Sequence, residues 1–170
     1  MLQENGLGRH NSAPRLAVVG IGNELRGDDA AGIAAERALQ HLADKQLNAA
    51  GHAQLLFLDA GLAPENFTGP LRRFAPDLVF LVDAVQMDEE PGTVRCLAWQ
   101  DTVGFSASTH TLPPYFLANF LARDLGCEIC LIGIQPADNS FRIGLSPEVT
   151  QAVEYFVHTL ASILALRNLC

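Results

Sequence analysis

The sequence is short of positive charge: 11 lysines and arginines stand against 19 aspartates and glutamates, a formal charge of -8. The basic residues are also scattered, with Arg72-Arg73 the only adjacent pair. Nucleic-acid binding draws on clustered lysine and arginine, so that class of partner is excluded. No apolar run approaches the roughly 18 residues of a membrane helix, which argues against membrane insertion. The first residues, Met1 to Pro14, carry no apolar core of the kind a secretory leader has. They are expected to form a flexible arm (1–14), with a single α/β domain over 15–170. Cysteine is sparse as well. Cys96, Cys127, Cys130 and Cys170 make no disulfide framework for a chain of 170 residues, which points to a reducing, cytoplasmic setting. Cys127-Glu-Ile-Cys130 has zinc or redox spacing. It runs into a strand pattern, however, where residues three apart face opposite sides, and no second pair completes a site. These cysteines are expected to pack in the interior.

Several catalytic signatures are missing too. There is no Gly-x-Ser-x-Gly elbow, no Gly-Lys-Ser/Thr phosphate loop and no His-Glu-x-x-His zinc motif. Gly20-x-Gly22 begins like a dinucleotide fingerprint, but Leu25 stands where the third glycine belongs. Asp28 and Asp29 at the start of the following helix would also repel a pyrophosphate. A nucleotide-binding domain therefore ranks low. Protection by ATP or NAD against thermal unfolding would restore it.

What is present is an alternation of strands and helices. Apolar runs predict strands over Arg15–Ile21, Leu55–Asp59, Leu78–Val85 and Glu128–Ile134, with a further edge strand over Thr93–Trp99. The run Leu78-Val-Phe-Leu-Val-Asp-Ala-Val85 is continuous rather than alternating, as in a central strand buried on both faces. Helices are expected from Asp28 to about Gln46, Pro64 to Arg73, Pro113 to Leu125 and from Ser146-Pro147 onward. Ala31, Ala35, Ala38 and Leu42 mark the buried stripe of the first, and Gly126 stops the third. Ser146 caps the last helix with Pro147 at its first position. This order predicts a three-layer sandwich, with a mostly parallel twisted sheet of about five strands and helices on both faces. Right-handed crossovers then bring the carboxyl ends of the parallel strands to one edge, where ligands bind.

Acids gather at that edge. Asp28 and Asp29 follow the first strand, Asp59 closes the second and Asp83 closes the third. Each has a structural reading: Asp28 as a helix cap, Asp29 as a partner of the helix dipole, Asp59 as the holder of a turn. Asp83 is the sharpest of them, because a carboxylate in so apolar a stretch must be paired, hydrogen-bonded or metal-bound. Of the five histidines, His10, His41, His52 and His158 fall in the arm, on helices or in a loop. His110 sits in a polar loop just before a helix. Two carboxylates and one imidazole make a three-ligand metal site with open positions.

These pieces also resemble, in order, those of the nickel-iron hydrogenase maturation endopeptidases. They are Gly20-Ile-Gly-Asn23, Gly27-Asp-Asp-Ala-Ala-Gly32, Asp59-Ala-Gly61, Leu81-Val-Asp-Ala84, Thr109-His110 and Gly133-Ile-Gln-Pro136, spanning about residues 15–160. Gly-Ile-Gln-Pro and Thr-His look most like the branch that serves formate-hydrogenlyase-type and related hydrogenases. Ala60 replaces the first glycine of the family's usual Asp-Gly-Gly. The resemblance implies a peptidase that removes the C-terminal extension of a hydrogenase large-subunit precursor after nickel insertion. It implies Asp29, Asp83 and His110 as nickel ligands and catalytic residues, with Asp28 and Asp59 supporting and the nickel supplied by the precursor. With no nucleophile visible, a non-cleaving, metal-sensing chaperone of the same large subunit is the alternative.

Overall fold

The computed structural model describes residues 13–47, 54–101 and 114–166. Its centre is a five-stranded sheet of order β2-β1-β3-β5-β4. The strands are β1 (Arg15–Ile21), β2 (Gln54–Gly61), β3 (Leu78–Ala84), β4 (Val94–Leu97) and β5 (Glu128–Ile134). β1 pairs in parallel with β2 and β3, and β3 with β5, while β4 runs antiparallel on the outside of β5. The predicted three-layer α/β architecture is therefore the observed one, and β1 and β5 have the expected bounds.

Helices α1 (Ala31–Leu42), α2 (Thr68–Phe74), α3 (Pro114–Leu125) and α4 (Pro147–Leu166) flank the sheet. Side chains alternate along β1, so Leu16 and Val18 join a core with α1 and α4, while Ala17 and Val19 join another with α2 and α3. β3 divides in the same way: Val82 faces α1 and α4, and Val79 and Leu81 face α2 and α3. Each Val or Leu so enclosed contributes about 1.5–3 kcal/mol by leaving water. Double-sided burial is the physical reason that these strands read as unbroken apolar runs.

Helix ends follow local chemistry. Gly126, at φ 64, terminates α3 and donates its N–H to the Ala122 carbonyl. Ala75 does the same for α2 despite its side chain, at φ 50, with its N–H on the Leu71 carbonyl. Ser146 Oγ accepts from the Val149 N–H at 3.4 Å ahead of Pro147, as expected for the start of α4.

The first helix departs from expectation. Gly27–Ala30 form a tight 3-10 turn before α1, and a wider π turn over Ala43–Leu47 follows it. Its buried residues are Ala31, Gly32, Ile33, Ala35, Glu36 and Leu39, whereas Ala38 and Leu42 are only half-buried. The stripe is rotated because two of its members, Gly32 and Glu36, are not apolar and carry no hydrophobic signal. Cys127 and Cys130 are less buried than the interior packing expected of them. Cys96 is exposed, and Cys127 and Cys130 are half-buried. Cys127 and Cys130 do lie against opposite cores, as strand geometry requires. No helix among the described residues is long and apolar enough to cross a membrane.

Candidate active site

The chain leaves β1 toward β2 on one side, while β3 lies on the other. The topological switch point therefore falls at the carboxyl ends of β1 and β3, the position at which open α/β sheets bind ligands. Asp29 arrives there from the turn after β1, and Asp83 from the end of β3. Both are almost completely buried.

The turn after β1 is built for close approach. Gly22, at φ +146, donates its N–H to the Gly61 carbonyl, and Asn23 donates to the Asp29 carbonyl at 3.2 Å. A Cβ on Gly22 would stand 1.8 Å from that same Asp29 oxygen, so only glycine lets the loop fold over the acids.

Asp28 and Asp83 are both buried carboxylates, yet their environments push them apart. Asp28 has no exposed surface. It accepts the N–H groups of Ala137 and Asp138 at 2.9 Å each, the Ser146 N–H at 2.6 Å and the Ser146 hydroxyl at 2.9 Å. Burial alone would raise its pKa, but the hydrogen bonds from Ser146, Asp138 and Ala137 outweigh burial and hold it below the usual carboxylate range. Those four bonds all reach the segment between β5 and α4 rather than its own helix. The expected cap is instead a hub, tying the first turn to the segment between β5 and α4.

Asp83 is 4% exposed. Burial, then the negative charge of Asp29, push its pKa up to about 8, against a smaller opposing effect of the Ala84 N–H. A carboxyl kept partly neutral near neutral pH, facing a second carboxylate, is a group poised for a cation or a proton. Asp28 stabilises the fold; Asp83 strains it. The two neighbouring acids thus sit in opposite electrostatic environments.

Replacement of Asp28 by asparagine is expected to cost about 3 kcal/mol, because at least one of the buried N–H donors then faces an amide NH2. In a domain of this size that is a fall of roughly 6–12 °C in melting temperature. A thermal melt within 2 °C of wild type, on the order of 0.5 kcal/mol, would remove Asp28 from its role as hub.

Asp59 does not join Asp29 and Asp83. Its carboxylate binds the Arg37 guanidinium, with Oδ2 2.6 Å from Nη2, and Arg37 also holds Glu24. Beneath this exposed trio lies Glu36, a buried acid that sequence reasoning missed. Burial, then the charge of Asp59, raise Glu36 to about 7, with Arg37 opposing. Its only sequence signal is a place four residues after Gly32, on the face where glycine lets the helix touch the sheet.

Gln135, of the Gly-Ile-Gln-Pro stretch, is buried. Its Oε1 accepts the Met87 N–H at 2.8 Å, fixing the segment that follows Asp83. His110 lies outside the described residues. Among the described residues no group of three His, Cys, Asp or Glu side chains could hold a metal ion. Of the three expected site residues, Asp29 and Asp83 are the two that the described structure brings together.

The model of the HycI hydrogenase maturation protease family matches residues 37–163. The chain belongs to that family. Family membership makes it a peptide hydrolase. A putative hydrogenase maturation protease of Methanocaldococcus jannaschii is 31% identical over 163 residues, covering 96% of each chain. The hydrogenase 3 maturation protease of Escherichia coli is 32% identical over 135 residues, covering 79% of this chain and 81% of its own. Among solved structures, the [NiFe] hydrogenase maturation protease HycI of Thermococcus kodakarensis superposes with a TM-score of 0.77 at 32% identity. That alignment covers 89% of this chain and 92% of the other. The fold on which Asp29 and Asp83 meet is thus shared with that protease.

Proposed function

We propose that this hydrogenase maturation protease removes the C-terminal extension of a hydrogenase large-subunit precursor once nickel has been inserted, and that it recognises the nickel. The observation that carries the reading is the buried Asp29–Asp83 pair at the carboxyl ends of β1 and β3, with Asp83 raised to about 8. Two such acids face each other at low cost only when a proton or a cation lies with them. In this reading the metal belongs to the substrate. Asp29 and Asp83 supply carboxylate oxygens, His110 supplies an imidazole nitrogen, and Asp28 and Asp59 support the loops. Hard oxygen donors beside imidazole suit a divalent first-row cation already held in part by the precursor. Nickel on the precursor polarises the peptide or serves as the recognition mark. The enzyme's own residues position the precursor against them and keep water from the acids. The work takes place in the cytoplasm, with 15–170 acting as one peptidase domain. The free thiols Cys96, Cys127 and Cys130 support a reducing compartment.

The test is cleavage of nickel-loaded and nickel-free precursor by wild type and by His110→Ala, read by mass spectrometry of the precursor's C-terminus. Loss of one of three ligands is expected to slow cleavage by about 100-fold or more. Equal cleavage by both proteins would remove His110 from the site. Cleavage of nickel-free precursor at the same rate would remove the requirement for metal. An extension left intact by wild type would favour the non-cleaving chaperone.

A further inference from the structure

Beside the acids the structure carries a feature that the hydrolytic site does not use. Arg26 and Arg142 form an isolated parallel bridge between the turn after β1 and the segment that leads into α4. The Gly27 N–H donates to the Arg142 carbonyl at 2.9 Å, and the Arg142 N–H to the Leu25 carbonyl at 3.1 Å. Leu25 precedes Arg26 in this bridge, and Phe141 and Ile143 flank Arg142.

The arginines are turned inward. Arg142 lies 3.9 Å from the buried Asp28 carboxylate and 3.5 Å from Asp138, and Arg26 Nε donates to the Asn139 carbonyl. The apolar residues are turned out: Leu25 is 50% exposed, Phe141 84% and Ile143 85%. Scattered apolar side chains on a surface need no explanation, but three flanking one bridge mark a contact surface.

We propose that Leu25, Phe141 and Ile143 form an apolar docking face for an extended, apolar stretch of the precursor next to the scissile bond, a proposal that rests on the processing reading above. Two observations select this occupant. First, the face and the acids are one rigid piece. Asp28 sits beside Asp29 in the same 3-10 turn, and its carboxylate holds Ala137, Asp138 and Ser146 on either side of Phe141 and Ile143. A peptide gripped by the face is thereby placed relative to Asp29 without a hinge between. Second, the area is too small for a stable pair of identical chains. Three such side chains offer about 400 Å², roughly half of what each partner of a standard interface buries. A face of that size serves as a second grip on a substrate already anchored at the acids.

The experiment uses the full chain with Phe141→Ser and Ile143→Ser combined, and purified nickel-loaded large-subunit precursor as the probe. Both side chains point to solvent, so the melting temperature should stay at the wild-type value. KM for the precursor is expected to rise about 10- to 100-fold with kcat nearly unchanged, because binding is lost equally in the ground and transition states. Unchanged KM alongside normal wild-type cleavage would overturn the docking face and leave the processing reading standing. A fall in kcat alone would also overturn it. If wild type forms dimers by sedimentation and the double variant is monomeric with unchanged KM, the face joins two copies of this chain instead. Should wild type leave the precursor uncut, the processing reading fails. Affinity for the same precursor by calorimetry then decides the face: binding about 10-fold weaker in the variant supports it, and equal binding overturns it.

Discussion

Asp83→Asn is expected to make the metal-free protein more stable at pH 8 while removing at least about 1,000-fold of its cleavage rate. The stability half follows from the sign of the linkage. Asp83 has a pKa of about 8 in the folded protein, against about 3.9 for an unfolded aspartate. Between those values the folded chain binds one proton more than the unfolded chain, so stability falls as pH rises from about 4 to about 8. Asparagine has no such proton to lose, and it also relieves the repulsion with Asp29. Melting curves of wild type and variant should therefore nearly coincide at pH 4 and diverge steadily toward pH 8. The difference there is a few kcal/mol, roughly 5–10 °C for a domain of this size. Asp28 predicts the opposite slope. Its pKa is held low, so its contribution is present above the unfolded value and lost on acidification. Parallel wild-type and Asp83→Asn curves across that range would mean that Asp83 is not under strain. A variant that still cleaved would remove it from the site.

Such a gain on neutralising one acid is the expected mark of a residue kept for chemistry rather than for folding. It also explains how much of the site was legible beforehand. Asp83 stood out in the sequence because an ionisable group in Leu78-Val-Phe-Leu-Val-Asp83 has no local partner, and its placement at a strand's carboxyl end needed only the α/β alternation. β1 and β5 were legible to the residue for the same reason, since strands buried on both faces are unbroken apolar runs. The role of Asp28 was hidden. Its partners are Ala137, Asp138 and Ser146, more than 100 residues away, and the local pattern offered only a helix cap. Glu36 was hidden too. A lone acid in an alanine-rich helix reads as solvent-facing, and its burial comes from how closely α1 lies on β1. The bridge beside Phe141 and Ile143 is likewise a pairing between Arg26 and Arg142 that no spacing announces. His110 was legible as a histidine ahead of a helix, and its part in the site rests on the cleavage experiment.

The approach of α1 to the sheet underlies the second large effect, a marked loss of stability in Gly32→Ala. In an ordinary helix interior this exchange is favourable by about 0.8–1.0 kcal/mol, since alanine restricts the unfolded chain and glycine does not. Here the sign reverses. A Cβ on Gly32 would lie 2.1 Å from the Val82 carbonyl oxygen and 2.4 Å from the Ile21 carbonyl oxygen. Both are backbone atoms at the carboxyl ends of adjacent central strands, so neither can swing aside as a side-chain tip would. The helix must instead lift by about 1 Å to restore contact distance, which opens the packing of Ala31 and Ala35 against the sheet. It also drags the preceding turn, and with it Asp28 from its hydrogen bonds and Asp29 from Asp83. The expected cost is about 3–5 kcal/mol, a fall of roughly 10–15 °C in melting temperature, with cleavage lost from whatever remains folded. Gly69→Ala supplies the control. That glycine is also helical, but its added Cβ would meet nothing closer than Arg73 Nη1 at 3.6 Å. The control should melt at or slightly above the wild-type temperature. If Gly32→Ala melts with it, the close seating of α1 over β1 and β3 is not what holds Asp29 against Asp83.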